Sequence, residues 1–287
     1  MAERKASSGN EAHPPAHPLR NLHAPRTSPP PNPPSPLQEG ELVLLRSSRG
    51  DSYLLRLARG ATVVEGRGVV DLGPAIGAGE GAPIDIGGRA FNVLRPSLAD
   101  RVSHLRRKAQ IITPKDAQAL LYLAGVSPGS HVAEAGSGSG GLTLFLAHAV
   151  GPDGHVDSYD VKEVHQAVAR SNLAQAGYLD RVTFHSDDVR SGVPLHDLDA
   201  WLLDLPDPWE AIPRLLPSLR PGGSIATYTP TYNQLERTVR LFQQLQLSDL
   251  RAEEHLVRGL HVGEGGTRPE FEMLGHTGFL ASARRIP

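Results

Sequence analysis

The chain has 287 residues, 39% of them hydrophobic, and its 29 Lys and Arg face 31 Asp and Glu. This length and apolar content allow a sizeable core, whereas the near-zero net charge excludes a protein that is basic throughout. Any contact with nucleic acid must therefore come from a local basic patch. The absence of cysteine excludes disulfides, thiolate zinc sites and cysteine nucleophiles.

Targeting signals are absent from the sequence. No apolar run approaches the roughly 18 residues of a membrane span, and the N-terminus lacks the apolar core of a secretory signal. We therefore expect a cytoplasmic protein with no membrane partner.

The first 95 residues divide by composition into two parts. Residues 1–36 carry ten of the 25 prolines and almost no large apolar side chains, which predicts a disordered tail acting as a linker or as an RNA contact. Residues 37–95 contain short apolar runs such as "ELVLLRSS" and "ATVVEGRGVVDLG", separated by glycines. This pattern predicts a small β-rich N-terminal domain.

Residues 96–113 form a basic connection. The stretch "PSLADRVSHLRRKAQ" predicts a linker helix that carries Arg101, Arg106, Arg107 and Lys108. Two interpretations stay open at this point, because such a helix is either a solvated connection or a binding surface for RNA phosphates.

From residue 114 to residue 287 strands and helices alternate. "TPKDAQALLYLAG" predicts a helix with Thr113 as its cap and Gly125 at its end. The strands "SHVAEAG", "HVDSYDV", "RVTFHSDD", "LDAWLLDLP" and "SIATYTP" follow, with helices between most of them. The pattern predicts an α/β fold with a Rossmann-like, mostly parallel sheet, and two late strands predict an antiparallel hairpin at one edge.

A glycine-rich turn follows the first of these strands. In "EAGSGSGG", Gly136, Gly138 and Gly141 match G-x-G-x-x-G, the fingerprint of a dinucleotide-binding turn, so a nicotinamide-dependent oxidoreductase is one interpretation. Ligands of such sheets lie beyond the carboxyl ends of the strands. Acids occupy those positions here: Glu134, Asp160, Asp187, Asp188 and Asp204.

These acids favour a cationic ligand over a pyrophosphate. Glu134, two residues before Gly136, would crowd a phosphate, whereas S-adenosylmethionine carries a sulfonium and an ammonium and no phosphate. Asp160 is placed for ribose hydroxyls of either ligand, and Asp188 is placed to accept a hydrogen bond from the adenine amino group. The sequence predicts S-adenosylmethionine as the cofactor and no metal.

Several motifs together resemble a known family. "EAGSGSGG", "DLPDPW" and "GHTGFL", after "QIITPKD", look like the tRNA adenine-N1 methyltransferases that modify position 58 of the T-loop, over residues 40–285. The resemblance implies a class I methyltransferase that uses S-adenosylmethionine, acts on tRNA and forms a homotetramer. The cofactor-binding residues that we predict are Gln110, Ile111, Glu134, Gly136, Ser137, Gly138, Ser139, Gly140, Gly141, Asp160, Asp188 and Asp204.

Asp204, the first acid of "DLPDPW", is the predicted catalytic residue. Adenine N1 already has a nucleophilic lone pair, but methylation leaves a cation that needs stabilisation. A carboxylate that accepts a hydrogen bond from the exocyclic N6 amino group pushes electron density toward N1 and stabilises that charge. The resemblance assigns this role to the same acid.

The predicted substrate-binding residues are Tyr228, Trp209, Arg106, Arg107, Lys108 and Arg268. Tyr228 is a wall for the target base or a core residue, and Trp209 stacks on a base or packs. Arg106, Arg107 and Lys108 are expected to contact tRNA, and Arg268 lies near the substrate or a neighbouring subunit. Thr113 departs from the family, whose members commonly carry an aromatic residue there. A methyltransferase with another acceptor and a catalytically silent RNA-binding subunit remain as alternatives.

Overall fold

The computed structural model describes residues 35–64, 66, 68–107 and 111–286. All but the last two residues of the proline-rich segment 1–36 lie outside this range, as do Lys108 and Gln110. The strands are β1 Leu42–Ser47, β2 Ser52–Arg56, β3 Ala61–Val64, β4 Gly68–Asp71, β5 Pro83–Asp85, β6 Ala90–Leu94, β7 His131–Ala135, β8 His155–Tyr159, β9 Val182–His185, β10 Leu198–Leu203, β11 Leu219–Thr229, β12 Ser248–Glu253, β13 Leu260–Gly263, β14 Gly266–Pro269 and β15 Phe279–Arg284. The helices are α1 Leu98–Ser103, α2 Pro114–Ala124, α3 Gly141–Val150, α4 Glu163–Ala176, α5 Pro208–Leu215 and α6 Tyr232–Gln244.

The N-terminal region is built from two small antiparallel sheets, one of four strands in the order β2-β1-β6-β5 and one formed by β3 and β4. Its core includes Val43, Leu45, Phe91 and Val93, all fully buried. The predicted β-rich region is therefore present. Residues 36–287 form one compact unit, and the predicted domain boundaries at residues 95 and 113 stay predictions.

The central sheet has seven strands in the order β12-β15-β11-β10-β7-β8-β9. Strands β9, β8, β7, β10 and β11 run parallel, and β15 pairs antiparallel with both β11 and β12. This confirms the predicted Rossmann-like sheet with its antiparallel edge. The chain order reverses between β7 and β10, and a doubly wound sheet opens its ligand crevice at such a point.

Two apolar clusters cover the two faces of this sheet. In β10, Leu202 packs with α2, α3 and α4, whereas its neighbours Trp201 and Leu203 pack with α5 and α6, because successive strand residues point to opposite faces. The indole N–H of Trp201 donates to Ser218 Oγ at 2.8 Å, which satisfies the one polar atom of this buried ring. Among the described residues, no helix is long and apolar enough to cross a membrane.

The predicted linker helix is shorter than the sequence suggests. Helix α1 ends at Ser103, and residues 105–107 have no regular structure. The physical reason is Asn172 of α4, whose Oδ1 accepts from the Arg106 N–H at 3.0 Å and whose Nδ2 donates to the Arg106 carbonyl at 2.9 Å. These bonds take the backbone groups that a helix would use.

Thr113 occupies the N-cap position of α2, as predicted, but its hydroxyl does not cap the backbone. Instead Thr113 Oγ1 donates to Asp116 Oδ2 at 2.8 Å, and Lys115 Nζ donates to Asp116 Oδ1 at 2.6 Å. Asp116 is fully buried, so these two bonds satisfy its carboxylate.

Candidate active site

The loops that follow β7 and β10 lie in direct contact. The Asp204 N–H donates to the Ala135 carbonyl at 2.8 Å, and Gly136 adopts a φ of +98°. A Cβ on Gly136 would lie 2.2 Å from the Asp204 carbonyl oxygen. Only glycine therefore permits the backbone approach that brings the glycine loop beside Asp204.

Gly138, the second glycine of the motif, borders open space. Gly138 has a φ of +51°, and a Cβ there would meet no atom nearer than 4.0 Å. Its N–H donates to Asp160 Oδ2 at 3.0 Å, which ties the loop to the end of β8. Of the other predicted loop residues, Gly140 packs against Leu173 and Ala169 of α4.

A cavity of about 340 Å³ lies beyond the carboxyl ends of β7, β8, β9 and β10. Gly136 and Gly138 line it. Its charged lining residues are Asp160, Lys162, His165, Asp187, Asp188, Arg190, Asp204 and Asp207. A narrow cleft of about 20 Å³ adjoins the same loop and is lined by Ile111, Ile112, Gly136, Ser137, Gly138, Ser139, Gly141, Leu142 and Asp204. The structure thus gathers most of the predicted cofactor residues around two adjoining spaces.

Glu134 lies beneath the glycine loop and does not line the cavity. It is fully buried, and its Oε2 accepts from Thr143 Oγ1 and Ser158 Oγ, both at 2.6 Å. Its Oε1 has no hydrogen-bond partner in the described chain. Burial raises the pKa of Glu134 to about 7, and repulsion from Asp204 and Asp160 adds to this.

The carboxylates of Asp160 and Asp188 already have partners. Besides Gly138, Asp160 accepts from the Lys162 N–H at 2.9 Å and lies 3.1 Å from His165 Nδ1. Asp188 forms a two-point ion pair with Arg190, whose hydrogen bonds hold the pKa of Asp188 below its ordinary value. Both acids are thus fixed in place at the cavity wall.

Asp204 differs from its neighbours. It directly follows β10, and no hydrogen bond to its carboxylate comes from the residues that the structure describes. Burial raises the pKa of Asp204 to about 6, with a further contribution from the Asp160 charge. The half-buried carboxylate faces the cavity as an unused acceptor, so it is available to a donor on a ligand.

The charges of the cavity favour a cationic ligand. Five aspartates line it, against one lysine, one arginine and one histidine. The unpaired Glu134 Oε1 adds buried negative potential below the loop. A pyrophosphate would be repelled here, whereas a sulfonium or ammonium group would be stabilised. Within the described part of the chain, no group of three His, Asp or Glu residues could hold a metal ion.

Tyr228 and Trp209 lie outside the cavity lining. Tyr228 is 8% exposed, packs in the core and donates its hydroxyl to the Thr277 carbonyl. Burial raises the pKa of Tyr228 to about 12, and the negative charges of Asp116 and Asp204 add to this. Trp209 packs under the guanidinium of Arg237, 4.2 Å from the ring centre. The role of each in base binding stays a prediction.

The basic residues predicted to contact tRNA lie at two separate places. Arg106 and Arg107 are exposed at the end of the connection from α1, and Lys108 falls outside the described residues. Arg268 lies in the exposed hairpin β13–β14, with its guanidinium 4.1 Å from the ring centre of Phe271. The sequence pattern did not predict this hairpin.

Sequence reasoning missed four residues that shape the site. Lys162, His165 and Arg190 line the cavity, and Asn172 donates from Nδ2 to the Ser139 carbonyl at 2.8 Å. The first two follow a predicted strand end and could have been found by that rule. Arg190 also follows a predicted strand end, after Asp188, whereas Asn172 carried no local signal because it lies inside a helix.

Comparison with known proteins identifies a family and several relatives that this chain resembles. The family model described as "tRNA methyltransferase complex GCD14 subunit" matches residues 93–265. The chain is 34% identical over 255 residues to the tRNA (adenine(58)-N(1))-methyltransferase TrmI of Thermus thermophilus, covering 85% of this chain and 96% of the relative.

Two solved structures share the fold. A structure of the tRNA (m1A58) methyltransferase TrmI from Aquifex aeolicus has a TM-score of 0.67 and 27% identity, covering 88% of this chain and 99% of that one. A Thermotoga maritima protein described as a SAM-dependent O-methyltransferase has a TM-score of 0.75 and 32% identity, covering 88% and 96%.

Proposed function

The chain belongs to the family described as tRNA methyltransferase complex GCD14 subunit, and from this premise we propose that it methylates N1 of adenosine 58 in tRNA with S-adenosylmethionine. The observation that carries the proposal is Asp204, an acid with a free acceptor at the junction of the cavity and the glycine loop. Membership in a methyltransferase family replaces the dinucleotide interpretation of the glycine motif.

The residues around the cavity fit the cofactor. When bound, S-adenosylmethionine supplies a methyl group activated by a sulfonium. Gly138 leaves room for close backbone approach, and the carboxylates of Asp160 and Asp188 are held where hydroxyl and amino donors are recognised. Glu134 contributes buried negative charge beneath the loop. Ile111 borders the narrow cleft on the other side of the loop.

Asp204 acts on the acceptor base. Its carboxylate accepts a hydrogen bond from the exocyclic amino group of the target adenine, which raises electron density at N1 and stabilises the positive charge that N1 methylation creates. No strong base is required, because N1 carries no proton at neutral pH. With its pKa at about 6, Asp204 is mostly ionised at pH 7 and can fill this role.

We further propose a cytoplasmic homotetramer. The segment around β13 and β14 exposes apolar side chains, among them Val262 at 74% and Phe271 at 84%. Monomers rarely leave such residues together in solvent, so their exposure supports burial against a neighbouring subunit. Light scattering should give a mass of four chains, and Phe271→Glu should lower it. In the same assembly Arg106, Arg107 and Arg268 would supply positive charge to the tRNA backbone.

The experiment that tests this function is methylation of tRNA by the purified chain with labelled S-adenosylmethionine, followed by mapping of the product. We expect 1-methyladenosine at position 58, and loss of transfer when a tRNA with guanosine there is used. Because one structural relative is described as an O-methyltransferase, nuclease digestion should separate base from ribose methylation. Methyl on a ribose oxygen would contradict the proposal.

A further inference from the structure

Arg190 joins the two loops that meet at the cavity. Its Nε and Nη2 donate to Asp188 Oδ1 at 3.0 Å and Oδ2 at 2.8 Å, and its Nη1 donates to Asp207 Oδ2 at 3.1 Å. Asp188 belongs to the loop after β9 and Asp207 to the loop after β10. One guanidinium therefore spans two elements whose strands are not neighbours in the sheet.

The far end of this bridge lies in the loop of residues 204–207 between β10 and α5, which we call the catalytic loop because it carries Asp204. Asp207 is three residues after Asp204 and precedes Pro208, the first residue of α5. Asp207 is the N-cap residue of this helix, but its side chain makes no cap hydrogen bond. Its carboxylate is instead directed to Arg190, so this ion pair holds the segment between Asp204 and α5 together with the hydrogen bond from Gln234 Nε2 to the Pro206 carbonyl at 2.8 Å.

The end of the bridge at Asp188 is held by a backbone hydrogen bond as well as by the ion pair. Asp188 Oδ1 also accepts from the Arg190 backbone N–H at 3.0 Å, so the aspartate caps the short turn Val189–Ser191 that carries the arginine. The backbone from which the Arg190 side chain extends is thus held in place by Asp188. A planar guanidinium makes the two-point contact with Asp188 and the contact with Asp207 from one fixed fork, a geometry that the compact ammonium group of a lysine lacks.

We propose that Arg190 is a positioning residue that couples the cofactor side of the cavity, at Asp188, to the catalytic loop, at Asp207. It holds Asp204 at the distance from the bound cofactor that methyl transfer requires. Surface ion pairs of this exposure contribute little to folding stability. Substitution of Arg190 should therefore lower turnover rather than folding stability, because small displacements of reacting groups reduce the reaction rate strongly.

The test is a double-substitution cycle, and its kinetic part rests on the proposed function. Arg190→Gln and Asp207→Asn should each lower kcat about tenfold at saturating tRNA and cofactor, and the double variant should lose no more than Arg190→Gln alone. Arg190→Lys should remain impaired, because an ammonium group keeps the charge but not the planar two-point contact with Asp188 from which Asp207 is reached. Arg220→Gln is the matched control, since it breaks a comparably exposed ion pair with Asp199 at the other end of β10.

A second measurement needs no activity. In the ligand-free protein, Arg190→Gln should speed hydrogen exchange of the backbone amides of Leu205, Asp207 and Trp209, and Arg220→Gln should not. Unchanged exchange, additive losses in the cycle or full activity of Arg190→Lys would each overturn the coupling. If the wild-type chain methylates no tRNA while Arg190→Gln still speeds exchange, the proposed function is contradicted and the coupling by Arg190 is supported.

Discussion

Replacing Glu134 by glutamine should make the folded protein more stable at alkaline pH while weakening its binding of the cofactor. Glutamine keeps an oxygen acceptor for the hydroxyls of Thr143 and Ser158 but removes the charge. In the wild type, one carboxylate oxygen is buried without a partner. Ionised Glu134 is therefore a cost to the ligand-free fold.

The size of this cost follows from the pKa. Burial raises the pKa of Glu134 from 4.5 to about 7, and each unit corresponds to about 1.4 kcal/mol, so the cost is about 3 kcal/mol. The folded state holds the proton more tightly than the unfolded state does. The contribution of Glu134 to wild-type stability is thus most favourable below pH 4.5 and is lost as the pH rises through 7, whereas Glu134→Gln lacks this loss.

Urea unfolding at pH 5 and pH 8 measures the effect. The stability of Glu134→Gln relative to wild type should rise by about 2.5 kcal/mol over this interval, because a small part of the cost is already present at pH 5. The constant cost of an unpaired amide N–H cancels in the comparison. Calorimetry should show weaker binding of S-adenosylhomocysteine, which keeps the ammonium, only for this variant. Glu236→Gln, at an exposed acid of α6, is the control. A stability difference independent of pH would refute the reasoning.

Three further predictions concern the loops around Asp204. At saturating cofactor, kcat should rise with pH through about 6 as Asp204 ionises, and Asp160→Asn should shift this limb to lower pH by removing a repelling charge; a flat profile would contradict the role of the carboxylate. Gly136→Ala should abolish most turnover while the chain still folds, because its Cβ would displace the Asp204 carbonyl; wild-type kcat would exclude that contact. Asn172→Ala should lower the free energy of unfolding by about 2 kcal/mol, since it leaves the buried Ser139 carbonyl and the partly buried Arg106 carbonyl without their donor. Thermal unfolding unchanged from wild type would count against these hydrogen bonds.

The sequence was sufficient to predict the sheet and the edge of the sheet at which the cavity lies. Alternating strands and helices predicted the parallel core, and the rule that ligands lie beyond strand ends located Asp160, Asp188 and Asp204. Both features depend on the local sequence pattern and on the parallel-sheet topology, which is one of the few folds compatible with alternating strands and helices.

The parts that could not be predicted depend on contacts between distant residues. Asn172 competes for the backbone of Arg106 and shortens α1, which no local propensity reveals. Glu134 follows the strand-end rule, yet its side chain turns under the loop to meet Thr143 and Ser158. The bridge made by Arg190 requires two loops to meet in space, so its partners are invisible in the sequence.

The most direct test of the central claim is methyl transfer to position 58 by Asp204→Asn. The substituted amide keeps the shape of the side chain but loses the charge that stabilises methylated adenine. We expect kcat to fall by about 100-fold or more with the affinity for S-adenosylhomocysteine nearly retained, while Asp199→Asn, at the start of the same strand, retains turnover. Wild-type turnover by Asp204→Asn would contradict the account.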